Sequence, residues 1–193
     1  MTITLAVQAL TQGEVVAFPT DTVYGLGCDS ASADAVTRLY SLKRRPPDKA
    51  LPLLVLRDWL PGMGLQLSDS ARRAINAFWP GPLTLVLPID APDSVPTVAV
   101  REPNHPVALE LLRAWGHPLA SSSANLSGRG ECLSAEEVLR QLPELAGRVL
   151  PGGPPPSGAA STILDLASDP WRLLREGTLS EARIGAALET ADD

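Results

Sequence analysis

Proline recurs 19 times in this chain of 193 residues, about twice its usual share, and the prolines fall where apolar stretches stop. A ring that fixes φ and removes an N–H ends helices and central strands, so the prolines act as punctuation. Between them the pattern predicts a short helix over residues 3–12 and an apolar strand over 14–18, stopped by Pro19. Ser32 caps a helix carrying Ala35, Val36, Leu39 and Tyr40 at helical spacing, ending near Lys43 before Pro46 and Pro47. Residues 51–56 have strand length, and Ser68 opens a helix through Ile75, Phe78 and Trp79 that Pro80 closes. Strands over 83–87 and 97–100 follow, then a helix over 107–115 with Gly116 as its stop. Leu119 starts a strand that runs into serines, and Ser134 with Glu137 has capping-box spacing for a helix to about Leu142. Strands over 161–166 and 171–174 and a weak helix over the acidic tail complete the series. Several neighbouring strands are joined by links too short for a crossover helix. The fold class that follows is α/β, a single twisted sheet of mixed parallel and antiparallel strands with flanking helices.

One domain spanning 1–193 is expected. Pro151 to Ala160 (PGGPPPSGAA) reads as a hinge or as a loop. The residues beyond it are too few to build a core of their own, so a loop beside a site is the reading taken. The net charge of −6 and a pI near 4.9 argue against a general nucleic-acid coat protein. Two cysteines, Cys28 and Cys132, make no disulfide framework and read as reduced thiols of a cytoplasmic protein. The opening residues lack a basic region before a short apolar run, so neither a signal peptide nor a membrane span is expected.

Common chemistry signatures are missing. His105 and His117 cannot be combined with the cysteines into a zinc site, no G-x-S-x-G elbow occurs, and neither common nucleotide loop is present. Charge is more informative: residues 38–49 carry Arg38, Lys43, Arg44, Arg45 and Lys49 against Asp48 alone. On pattern alone this is a solvated helix end, whose cations complement the helix dipole. Lys43 and Arg45, expected to be exposed cations on a turn restrained by two prolines, also suit a polyphosphate. Ser121, Ser122, Ser123, Asn125 and Ser127 follow a strand, and Thr20, Asp21, Thr22, Tyr24 and Gly25 follow another. Each cluster is either an ordinary polar turn or a set of donors gathered at a strand end, where ligands of open α/β sheets bind.

The segments FPTDTVYGLGCD (18–29), LKRRPPDKALPLLV (42–55), WPGPLTLVL (79–87), VAVREPNHP (98–106), SSSANLSG (121–128), STILDL (161–166) and LREG (174–177) resemble the YrdC-like family in order and spacing over nearly the whole chain. The length resembles the family's short bacterial form. The resemblance implies an L-threonylcarbamoyladenylate synthase, a nucleotidyltransferase making threonylcarbamoyl-AMP and pyrophosphate from L-threonine, bicarbonate and ATP. Its product would serve the transferase proteins that install threonylcarbamoyladenosine in tRNA. The family's K-x-R falls on Lys43 and Arg45 and its S-x-N on Ser123 and Asn125, a set the resemblance marks as catalytic. ATP would meet Arg45, Lys49, Thr97, Ser123 and Arg175, while Thr22, Arg101, Ser121 and Ser161 would hold threonine. Mg²⁺ would arrive with ATP, and no protein-bound metal is expected. Leu54 stands where many relatives have His, and Glu131 where a Ser often contacts ATP, so those contacts differ here.

Two other readings compete. A binding module could use the basic segment to hold structured RNA; RNA binding would be weak if that segment serves ATP, because few cations would be left to meet phosphates. A carbamoyl-transfer maturation factor ranks last, since the chain lacks the acylphosphatase and zinc-finger modules of such proteins.

Overall fold

The computed structural model describes residues 1–90, 97–154 and 156–189. Pro155 of the proline-glycine stretch and residues 190–193 of the acidic tail lie outside them.

Helix starts follow the sequence closely. The helices are α1 (Ile3–Thr11), α2 (Ala33–Lys43), α3 (Asp69–Phe78), α4 (Pro106–Trp115), α5 (Ala135–Gln141) and α6 (Glu181–Glu189). Hydroxyls of Ser32, Ser68 and Ser134 accept from the backbone N–H three residues on, at the starts of α2, α3 and α5. Glu137 closes the α5 cap by accepting from the Leu133 N–H. Gly116 ends α4 at φ +81°, where a side chain would strain the backbone. The 3-10 segments Arg57–Gly62 and Pro143–Leu145 were not anticipated; each contains a proline.

The strands are β1 (Val16–Phe18), β2 (Gly25–Asp29), β3 (Leu53–Leu54), β4 (Leu83–Pro88), β5 (Thr97–Arg101), β6 (Leu119–Ser123), β7 (Thr162–Asp165) and β8 (Arg172–Arg175). They form one sheet in the order β1-β2-β6-β3-β5-β4-β7-β8. The β3/β5 and β4/β7 pairs are parallel and the others antiparallel, among them β1/β2, β4/β5 and β7/β8, which short links join. β7 follows the proline-glycine stretch and β4 precedes it, so that stretch joins strands of one sheet.

Two strand readings need correction. β3 keeps only two of the six residues expected, because Pro52 has no N–H to donate and the chain turns into the 3-10 segment after Leu56. β2 was not anticipated, since Gly25 and Gly27 hide its alternation. Gly27 is demanded by packing: a Cβ there would lie 2.8 Å from Cε1 of Phe18.

Helices cover one face of the sheet fully and the other in part. On the first, α2 and α5 pack over Leu26, Cys28 and Ala120, while α3 and α6 pack over Leu83, Leu85, Leu87, Val100 and Leu164. On the second, α1 and α4 cover Val16, Phe18, Leu54 and Leu119. The rest of that second face carries many small or polar residues and stays open.

Candidate active site

The open part of the second face is a cleft of about 310 Å³. Side chains that alternate along neighbouring strands share a face, which brings together Gly25, Ser121 and Ser123, Leu54, Ala99 and Arg101, Thr84 and Val86, and Ile163. Loops add Thr20, Thr22, Arg45, Glu131 and Ser161, and β8 adds Leu174 and Arg175.

Arg101 is the buried centre of one end. Its Nε donates to the Gly81 carbonyl at 2.9 Å, Nη1 to Thr22 Oγ1 at 3.0 Å and Nη2 to Asp21 Oδ1 at 2.6 Å. Three of five guanidinium protons are thereby committed, and two remain. Burial lowers its pKa from the usual guanidinium value, while the Asp21 charge and hydrogen bond oppose the shift. Gly81 approaches so closely that a Cβ would stand 2.3 Å from the Phe78 carbonyl oxygen. The proline-glycine stretch is tied to the same end: Ser157 N–H donates to the Asp21 carbonyl and Gly158 N–H to that of Thr22.

At the other end, Lys43 donates to the carbonyls of Ser123 and Asn125, the latter at 2.7 Å, and to Asn125 Oδ1 at 3.2 Å. Lys43 is only 2% exposed, which corrects the expectation of an exposed cation. It falls on the buried stripe of α2 with Ala35 and Leu39, and carbonyl oxygens replace the water its ammonium has lost. Burial pushes its pKa down to about 8; Glu131 raises it and Arg45 lowers it further. Ser123 Oγ donates to Asn125 Oδ1, so the S-x-N pair and Lys43 form one hydrogen-bonded unit. Arg45 folds back, donating from Nε and Nη2 to the carbonyls of Lys49 and Ala50. Arg175 donates from Nε and Nη2 to the Ser161 carbonyl and from Nη2 to Ser161 Oγ at 3.2 Å. Its pKa is lowered by burial, raised by Glu131 and lowered by Arg45.

Thr22, Arg45, Arg101, Ser121, Ser123, Ser161 and Arg175 therefore line one cleft, with Lys43 and Asn125 bonded directly behind Ser123. The Lys49 side chain is outside the lining; its carbonyl instead receives Arg45 and Tyr40. Thr97 is also outside, two residues beyond Ala99 on the same strand face. Among the described residues no three His, Cys, Asp or Glu side chains group to hold a metal ion, and Glu131 is the cleft's one carboxylate. Sequence reasoning named Asp21 only as one member of a polar cluster, without its partner Arg101, and missed Gly81 and Thr84 as site residues. Asp21 left a signal, being the one acid between the buried residues Val15 and Cys28, where a charge needs a partner.

A family model described as "Telomere recombination", Sua5_yciO_yrdC, matches residues 8–177. The chain belongs to the Sua5/YciO/YrdC family. Similar members of the family include the threonylcarbamoyl-AMP synthase of Bacillus subtilis, 41% identical over 95% of this chain and 55% of that protein. The synthase of Vibrio vulnificus is 41% identical over 89% of this chain and 96% of its own length. Among solved structures, P. abyssi Sua5 complexed with L-threonine superposes with a TM-score of 0.88 at 36% identity, covering 97% of this chain and 57% of that one. The chain thus spans little more than half of two of these relatives and nearly all of the third.

Proposed function

We propose that this chain is a threonylcarbamoyl-AMP synthase, a nucleotidyltransferase joining L-threonine, bicarbonate and ATP into threonylcarbamoyl-AMP with release of pyrophosphate. One observation carries the reading: a single cleft holds a buried guanidinium with two uncommitted protons at one end and Arg45, Arg175 and the Lys43–Ser123–Asn125 unit at the other. The first end suits an amino-acid carboxylate, which a guanidinium grips with two parallel bonds. The second suits phosphates, and Ser161 joins the two ends through its bonds to Arg175 and Thr84. The names of the relatives and the threonine held by the P. abyssi protein agree with this assignment.

In the reaction the threonine amine attacks the bicarbonate carbon and water leaves, giving a carbamate. A carbamate oxygen then attacks the α-phosphorus of ATP, and pyrophosphate leaves. Arg101 orients the amino acid, while Arg45, Arg175 and the Lys43 unit align the phosphates and neutralise their charge, the main work in phosphoryl-type transfers. Lys49 and Thr97 would reach ATP from the cleft margin. Mg²⁺ carried on the phosphates would supply further neutralisation, and a cleft with one carboxylate suits an ion that keeps most of its waters. The product passes to proteins that transfer the threonylcarbamoyl group to tRNA. Two free, buried thiols support a cytoplasmic location, and among the described residues no helix is long and apolar enough to cross a membrane. An RNA-holding role is disfavoured because Lys43 is buried and Arg45 turns into the cleft, leaving fewer free cations than the sequence suggests. Mass spectrometry of a reaction containing all three substrates tests the assignment: threonylcarbamoyl-AMP is expected, whereas threonyl-AMP or ADP as the product would contradict it.

A further inference from the structure

Resting on the synthase reading, the hydrogen-bond directions in the cleft show which hydroxyl has a proton left for the substrate. Ser121 Oγ donates to the Leu26 carbonyl at 2.8 Å, so its single proton is committed. Thr20 Oγ1 donates to the Val23 carbonyl at 2.7 Å. The 3.0 Å bond between Thr20 and Thr22 hydroxyls must then be donated by Thr22, which also accepts from Arg101. Neither Ser121 nor Thr22 retains a proton, and each can only accept from a ligand.

Thr84 and Ser161 differ. Both are buried, both line the cleft, and their hydroxyls lie 2.9 Å apart. Ser161 Oγ also accepts from Arg175, which has only donors to offer. Two hydroxyls that share one hydrogen bond have one proton over, whichever of them donates. The β4/β5 register pairs Leu85 with Val100, and one step further it places Thr84 opposite Arg101 on the cleft face. An amino acid whose carboxylate is held by Arg101 would therefore bring its β-carbon beside this pair.

We infer that the Thr84–Ser161 pair reads the β-hydroxyl of the amino-acid substrate, with Thr84 as a specificity-determining residue. Ser161, which accepts from Arg175, donates to Thr84, and the proton of Thr84 is donated to the substrate hydroxyl, which can return its own proton to a lone pair of Thr22 or Ser121. Valine puts a methyl there and leaves a buried donor unpaired, and a site built to bond a hydroxyl rejects such an analogue strongly.

The test compares kcat/KM for pyrophosphate release with threonine and with valine in wild type, Thr84→Val and Thr84→Ser. Thr84→Val keeps the side-chain shape and removes the hydroxyl. Its preference for threonine over valine should fall about tenfold or more, the loss of a bond to a buried donor, through a higher KM for threonine. Thr84→Ser should keep the wild-type preference. A purely structural role for Thr84 would lower both substrates together and leave the ratio unchanged. That result, or a Thr84→Ser variant that loses preference as Thr84→Val does, overturns the inference. Should Thr84→Val fail to fold, Thr84→Ala is read in the same assay, and an intact preference there overturns it equally. A wild-type chain that releases no pyrophosphate with threonine would instead refute the synthase reaction itself.

Discussion

Lys43 is held by opposing effects at a single residue. Burial removes its water, and carbonyls of Ser123 and Asn125 replace that water, so the side chain both braces the cleft wall and carries charge there. Its pKa of about 8 lies below the ordinary lysine value of 10.5, so between these values the unfolded chain binds the extra proton. Stability contributed by this group therefore rises as pH goes from about 8 to 10.5, and the cost of burying the charge is complete below about 8. Activity moves the other way. If the charged form is needed, kcat/KM for ATP should fall on the basic side with an apparent pKa near 8, and a flat profile to pH 9.5 would exclude that need. Lys43→Met should also lower unfolding stability by about 1–3 kcal/mol, because buried carbonyls lose their donor. Lys43 lies at helical spacing from Ala35 and Leu39 on the buried stripe of α2, against the ordinary preference of a lysine for solvent, which is why its burial is not legible from residue type.

The Arg101–Asp21 pair has only 8% and 15% side-chain exposure, so solvent screens it little. Asp21→Asn keeps an acceptor oxygen but removes the countercharge. It should cost about 3 kcal/mol in denaturant unfolding, typical of a buried pair broken from one side. Unchanged stability would mean that the pair holds nothing together. Arg101 was legible from its motif, whereas Asp21 was visible only as one member of a polar cluster.

Among the elements, α2 ends in a way that aims the cleft cations. Arg45 N–H reaches back to the Tyr40 carbonyl, and Arg44 takes the left-handed conformation at φ +51°, usually left to glycine. Arg44 is exposed and its backbone carries the strain, so Arg44→Gly should raise stability by up to about 1 kcal/mol. A loss of stability in that variant would show that the arginine side chain has a structural role. The serine caps and most strands could be read from local chemistry, because a cap needs one hydroxyl and a strand an alternating face. β2 could not, because its glycines answer to Phe18, a contact set by tertiary packing. The brevity of β3 likewise depends on β5 and β6 flanking it.

At the scale of the whole molecule, helices cover one face of the sheet and part of the other, and the uncovered part has become the cleft. The positions of Thr84, Arg101, Ser121 and Ser161 on that face follow from strand order, which no local pattern specifies. The chain as a whole is acidic, with a net charge of −6, and its cleft concentrates cations at one end, an arrangement that favours a small polyphosphate over a long one. The most direct measurement is pyrophosphate release with ATP, threonine and bicarbonate each omitted in turn, using buffer stripped of carbon dioxide. Release should require all three together. Equal release without threonine or without bicarbonate would contradict the synthase reaction and leave the cleft as a site for ATP alone.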